Sequence, residues 1–183
     1  MGDMGDTARA NYQAARYELV ERVRLRDLVL IAYLAVVGTI FGISYSRPNS
    51  EIILLSLPFI ALGCSIIVSQ HNRVIGTLLL YLSNDLKPFL ENLSQYASDF
   101  GSSKSFKKHS KLSNLYRTLG HGFIILFPVL FALVANIKYA FHSLFFEGLS
   151  WWFGIICVIG SFWIILNAHL WRTHVFENTN WDK

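Results

Sequence analysis

The chain has 183 residues, of which 53% are hydrophobic and 15% aromatic, while only 15% are charged against about 25% in soluble domains. Too few charges remain to clothe a water-soluble domain of this size, and so apolar a chain does not stay disordered, so composition excludes both. The net charge of +4 would suit a nucleic-acid ligand, but the cations flank apolar runs, which points to a bilayer instead.

From the N-terminus, residues 1–27 read as a cytoplasmic amphipathic helix. Tyr12, Ala15, Leu19 and Val23 recur at helical spacing, Glu18 and Arg22 form a supporting i,i+4 pair, and Thr7 suits an N-cap. The opening Met1-Gly2-Asp3-Met4-Gly5-Asp6 is not a myristoylation site, because Asp6 stands where that motif needs Ser or Thr. Neither proline nor glycine separates this helix from the apolar run that begins at Leu28, so one continuous helix is expected. A cleaved signal peptide is not, because the apolar run comes late and is long enough to span.

Four segments have the roughly 20 apolar residues that a bilayer crossing needs: Leu28 to Ser46, Ile52 to Gln70 with Pro58 inside it, Leu119 to Ile137 with Pro128 inside it, and Trp151 to Leu170. They are continuously apolar rather than alternating, and a spanning segment must satisfy its own backbone, so they are helices. The fold class is therefore all-α: an integral membrane four-helix protein with amphipathic cytoplasmic helices. Every Lys and Arg except Arg47 and Lys138 lies before the first span, between the second and third, or after the fourth. The positive-inside rule then places both termini and the central segment in the cytoplasm. The organisation is a cytoplasmic helix at 1–27, a transmembrane hairpin at 28–70, a cytoplasmic helical extension and polar loop at 71–118, a second hairpin at 119–170 and a cytoplasmic tail at 171–183. Phe141, Phe145, Phe146, Trp151 and Trp152 form an aromatic belt at the outer surface.

Beyond the second span, Ile75, Leu79, Leu82, Leu86, Phe89, Leu93 and Tyr96 alternate spacings of four and three, a heptad seam. Pro88 interrupts its hydrogen bonding and predicts a kink or restart near Asn84-Asp85. The seam needs a partner, either the N-terminal helix of the same chain or a second subunit. The former is favoured because that helix is already present. Residues 98–110 are rich in serine and lysine and read as a polar loop. Gly38 and Gly42 form a small-xxx-small pair in the first span. Gly63 with Cys64 and Ser65 forms a small patch in the second, and Gly154, Gly160 and Ser161 do so in the fourth; all suit close helix contacts.

The search for chemistry finds little. Cys64 and Cys157 lie in apolar runs as small buried hydrophobes. The histidines His71, His109, His121, His142, His169 and His174 include no i,i+4 metal-binding pair, and His71, His121, His169 and His174 fall near the cytoplasmic headgroups. Arg117 and His121 resemble the Arg–His pair of HEPN ribonucleases, but they stand one residue too close and at the entrance to a span, so no nuclease is assigned. No catalytic, cofactor-binding or metal-ligating residue is assigned, no cofactor is expected, and the protein is not read as an enzyme. The span cores hold no Asp, Glu, Lys or Arg, which argues against a proton- or ion-coupled pump.

Two stretches are the most distinctive: Tyr17-Glu18-Leu19 through Arg22-Val23-Arg24-Leu25-Arg26-Asp27, and Ala61-Leu62-Gly63 through Ser69-Gln70-His71-Asn72. With the order of parts that they belong to, the chain resembles the small multi-pass effector proteins of bacterial anti-phage systems. The resemblance implies a non-enzymatic inner-membrane effector that oligomerises and perturbs the bilayer in antiviral defence. The alternative is a membrane anchor or scaffold subunit that recruits a soluble cytoplasmic partner. Expected partners are the lipid bilayer, further copies of the chain and a cytoplasmic protein, with no direct nucleic-acid binding.

Overall fold

The computed structural model describes residues 2–46, 50–86, 104–141 and 145–178, and among them every regular element is helical. Helix α1 runs without a break from Gly2 to Ser46. At 1.5 Å per residue its 45 residues extend about 68 Å, roughly twice the 30 Å hydrocarbon core of a bilayer, so its N-terminal half forms an arm beyond the span. A 3₁₀ turn at Glu51–Ser56 leads into α2 (Leu57–Leu80), which continues as a π-helical turn at Tyr81–Leu86. Helix α3 covers Lys104–Ala135, a short α4 covers Ile137–Ala140, and α5 covers Phe145–Asn178.

Four helical stretches are long and apolar enough to cross a membrane, and the protein is an all-α, four-helix integral membrane bundle. The helices alternate in direction, and α2 is the central one, packing on α1, α3 and α5. Half of its most apolar window is buried inside the bundle, against about a fifth for each of the others. The core gathers Tyr33 and Val37 of α1, Leu54 of the 3₁₀ turn, Leu57 at the start of α2, and Ile125, Val129 and Leu133 of α3. The outward faces carry large apolar side chains such as Phe123, Phe127, Ile156, Ile159 and Trp163, all more than half exposed, as a bilayer-facing surface requires.

Several boundaries differ from those expected. Thr7 is not an N-cap, because α1 is already helical from Gly2. Pro58 does lie inside the second span, in the first turn of α2 directly after the 3₁₀ turn, where proline is tolerated. Of the expected polar loop, the part from Lys104 onward is helical and runs continuously into the third span, while residues 98–103 lie outside the described residues. That span stops at Ala135 rather than at Ile137. The break is at Asn136, which is fully buried and donates its side-chain Nδ2–H to the Ala132 carbonyl at 2.9 Å. Asparagine competes with the backbone in this way and disfavours continued helix.

Pro128 does lie inside α3 and deprives the Ile124 carbonyl of its usual donor. One residue along, the Tyr33 hydroxyl of α1 donates to the Ile125 carbonyl at 2.7 Å, so a neighbouring helix compensates at the turn that proline loosens. Trp151 Nε1–H likewise donates to the Leu133 carbonyl at 2.9 Å, tying α5 to α3. At the same end, Lys138 Nζ donates to Glu51 Oε2 at 2.6 Å and joins the two short connections. This hydrogen bond raises the Lys138 pKa above its ordinary value.

The start of the heptad seam packs within the chain. Leu86 is buried with Ala8 and Tyr12 of the arm, and Leu82 lies against the same cluster. The Arg16 guanidinium covers the Tyr12 ring at 5.7 Å. The backbone reaches this position as a π turn that continues α2 through Asn84 and Asp85; Pro88, Phe89, Leu93 and Tyr96, and with them the kink or restart expected from Pro88, lie outside the described residues. Because this cluster is small and outside the bundle core, Leu82→Ala with Leu86→Ala is expected to free the arm without disturbing the spans. Limited proteolysis of the purified protein then cuts between Ala8 and Tyr17 at least tenfold faster than in the wild type, while helical content and membrane insertion are unchanged.

Candidate functional site

The bundle has a basic end, which carries the arm, and a loop end near Glu51 and Lys138. At the basic end the four spanning helices bring polar side chains together. Arg26 belongs to a run in which Arg22 and Arg24 face outward and pair with Glu18 and Glu21 of their own helix. Arg26 instead turns into the bundle, its side chain only 6% exposed. Its Nε and Nη2 donate to Asp27 Oδ1 at 2.9 and 2.7 Å, and its Nη1 donates to Asn72 Oδ1 of α2 at 3.3 Å. A guanidinium withdrawn this far from water needs such partners, and they lock α1 to α2.

Beside this pair lies a small cleft lined chiefly by Ser69 and Asn72 of α2, Arg117, Thr118 and His121 of α3, and His169 of α5. Thr118 Oγ1 and His169 Nδ1 are hydrogen-bonded at 3.0 Å across α3 and α5. Arg117 is half-buried and within electrostatic reach of Arg26 and Asp27. His71, one residue before Asn72, lies near Arg22 and Arg26, and its buried Nδ1 has no hydrogen-bond partner. The cleft admits about 20 Å³, room for one or two water-sized groups and far too little for an organic substrate.

The Arg117–His121 pair therefore faces a common cleft, together with His169, which the sequence gave no reason to associate with it. Arg26 was equally hidden, since its residue type and spacing match those of Arg22 and Arg24. No group of three His, Cys, Asp or Glu residues stands close enough to hold a metal ion among the described residues. Cys64 and Cys157 are buried and unpaired with one another.

The glycines divide in an unexpected way. Gly154 faces Leu133 and Pro58, Gly160 faces Leu62, and Gly76 lies under the Trp171 ring, where an added Cβ would come within 2.6 Å of the ring. A Cβ added at Gly38 or Gly42, the small-xxx-small pair, or at Gly63 would meet no described atom of another helix within 4 Å. Both α1 glycines face outward from the bundle. Comparison with protein-family models, curated proteins and solved structures finds no match to this chain.

Proposed function

We propose that this protein is a non-enzymatic effector of the inner membrane that self-associates through α1 and perturbs the bilayer in antiviral defence, with both termini in the cytoplasm. The observation that carries this reading is the outward position of Gly38 and Gly42. A pair that lets helix backbones approach closely is unused among the described residues and is open to a second copy. The uncharged span cores agree with action by association rather than by coupled transport. Expression in cells loaded with a membrane-potential dye tests it. The wild type is expected to depolarise the membrane and cross-link as oligomers, and Gly38→Val with Gly42→Val to lose both by at least tenfold. Retained toxicity with normal polarisation rules out bilayer perturbation.

A second reading, an anchor that recruits a soluble partner, is favoured by one feature. The arm of α1 exposes Tyr17 and Val20, at 76% and 64%, on a face that the other described residues leave uncovered. A stoichiometric protein captured by the wild type and lost in Tyr17→Ala with Val20→Ala, without depolarisation, would select this reading.

A further inference from the structure

We propose that the outward face of α1 pairs with the same face of a second copy in a parallel coil that continues out of the bilayer, so that the cytoplasmic arms are joined as well as the spans. This rests on the self-association proposed above and adds its geometry: which residues meet, in which direction, and how far beyond the membrane.

From Tyr17 to Tyr45, steps that alternate between four and three residues trace one stripe along α1 through four heptads, the repeat of a left-handed coil. Every position on this stripe is exposed except Glu21, which is partly so. The residues that α1 buries, among them Tyr12, Arg26, Tyr33 and Val37, lie on the opposite side of the same helix. The stripe changes character with depth. In the arm it carries Tyr17, 76% exposed, and then Glu21 and Arg24. At the entrance to the span come Leu28 and Ile31, both more than half exposed. Ala35, Gly38 and Gly42 follow in the bilayer, and there their lack of bulk lets two backbones approach.

Reach decides what covers such a stripe. Tyr17 precedes Leu28 by eleven residues, about 16 Å along the helix, whereas a headgroup layer is only about 6 Å deep, so lipid does not cover the arm. Gly38 stands ten residues inside the span, where a soluble protein does not reach. A cover for the whole stripe must itself be part cytoplasmic and part embedded, with its polar and apolar parts at matching heights. A second α1 meets that requirement. Two copies inserted the same way present these faces in parallel, about a two-fold axis along the membrane normal.

The charges on the stripe complement themselves. Arg24 and Glu21 are joined at 3.3 Å within one helix, with the Arg24 side chain 75% exposed. In a parallel pair each Arg24 also gains Glu21 of the second copy, which offsets the like-charge contact across the axis. The layer fixes register as well, because a slip of one heptad would set Arg24 against Ile31 at the bilayer.

The test is disulfide cross-linking of the full-length protein in isolated membranes. Single cysteines are introduced on the stripe, as Tyr17→Cys or Ala35→Cys, and at exposed positions off it, as Glu18→Cys or Val36→Cys. The native Cys64 and Cys157 are buried, and the wild type sets the baseline. On oxidation the dimer yield is expected to be at least fivefold higher at Tyr17→Cys and at Ala35→Cys than at either control. Adding Arg24→Glu, which gathers four carboxylates on the axis, is expected to lower the Tyr17→Cys yield at least threefold. Glu21→Arg in the same chain is expected to restore it, which separates a lost contact from misfolding. Dimer at Ala35→Cys alone overturns the paired arms and leaves self-association within the bilayer standing. Dimer at neither position, or equal dimer at the controls, overturns both. A Tyr17→Cys adduct with a different protein in place of the dimer identifies a soluble partner on the arm and overturns the proposal, as does a Tyr17→Cys yield indifferent to Arg24→Glu.

Discussion

Leu57→Ala is expected to lower the stability of the detergent-solubilised protein by about 2 kcal/mol, and Ile156→Ala to change it by less than about 0.5 kcal/mol. Both substitutions remove the same number of carbons. Leu57 is completely buried where the 3₁₀ turn passes into α2, among the residues of the central core, whereas Ile156 is 61% exposed on the outer face of α5. In a water-soluble core Leu→Ala costs about 2–5 kcal/mol through a transfer part and a cavity part. Apolar surroundings outside the bundle remove most of the transfer part, because lipid is as apolar as the protein interior, and the cost falls to the lower end of that range. What remains is dispersion lost around a cavity, and only Leu57 leaves one. Unfolding in a graded mixture of sodium dodecyl sulfate and neutral detergent, followed by circular dichroism, measures the difference. Equal effects at the two positions would mean that the outer face of α5 is covered by protein.

Gly154→Val is expected to cost about 1–3 kcal/mol, and Gly38→Val close to nothing for the isolated chain. At Gly154 a Cβ would meet Leu133 Cδ2 at 2.9 Å and Pro58 Cγ at 3.2 Å, so even alanine forces a neighbour to move. Valine adds two further methyl groups to the same gap. Leu133 is buried on α3 and Pro58 is held in the first turn of α2, which leaves α5 to withdraw from both. At Gly38 nothing lies within 4 Å. The same detergent titration reads the stability difference, and chemical cross-linking reads association separately. Gly154→Val destabilises the monomer whether or not copies associate, while Gly38→Val acts on association alone. A stability loss at Gly38 equal to that at Gly154 would contradict the packing described.

The class of the protein and its membrane-crossing segments were legible from local properties. A run of some 20 apolar residues is long enough to span by itself, and a missing breaker between Thr7 and Leu28 is enough to make α1 continuous. The pairing of Leu82 and Leu86 with the arm was likewise foreshadowed, because heptad spacing on one segment and amphipathic spacing on another declare two faces that need covering. Boundaries were less legible. Composition marked residues 98–110 as loop, but the segment from Lys104 is helical and continuous with a long apolar helix, which overrides weak local preference. Asn136 ended the third span two residues early through a side-chain bond to its own helix.

Only the tertiary structure decided which face of each spanning helix is used. Helices that are apolar all round carry no amphipathic signal, so rotation about their axes is set by packing alone. That rotation turned Gly38 and Gly42 outward and pressed Gly76 and Gly154 against their neighbours. It also turned Arg26 inward while Arg22 and Arg24 stayed at the surface. The cleft follows from the same cause. Arg26 and Asn72 are 46 residues apart, and Thr118 and His169 are 51 apart. No spacing rule within one segment can register such pairs, because their juxtaposition exists only once all four helices have chosen their faces and packed.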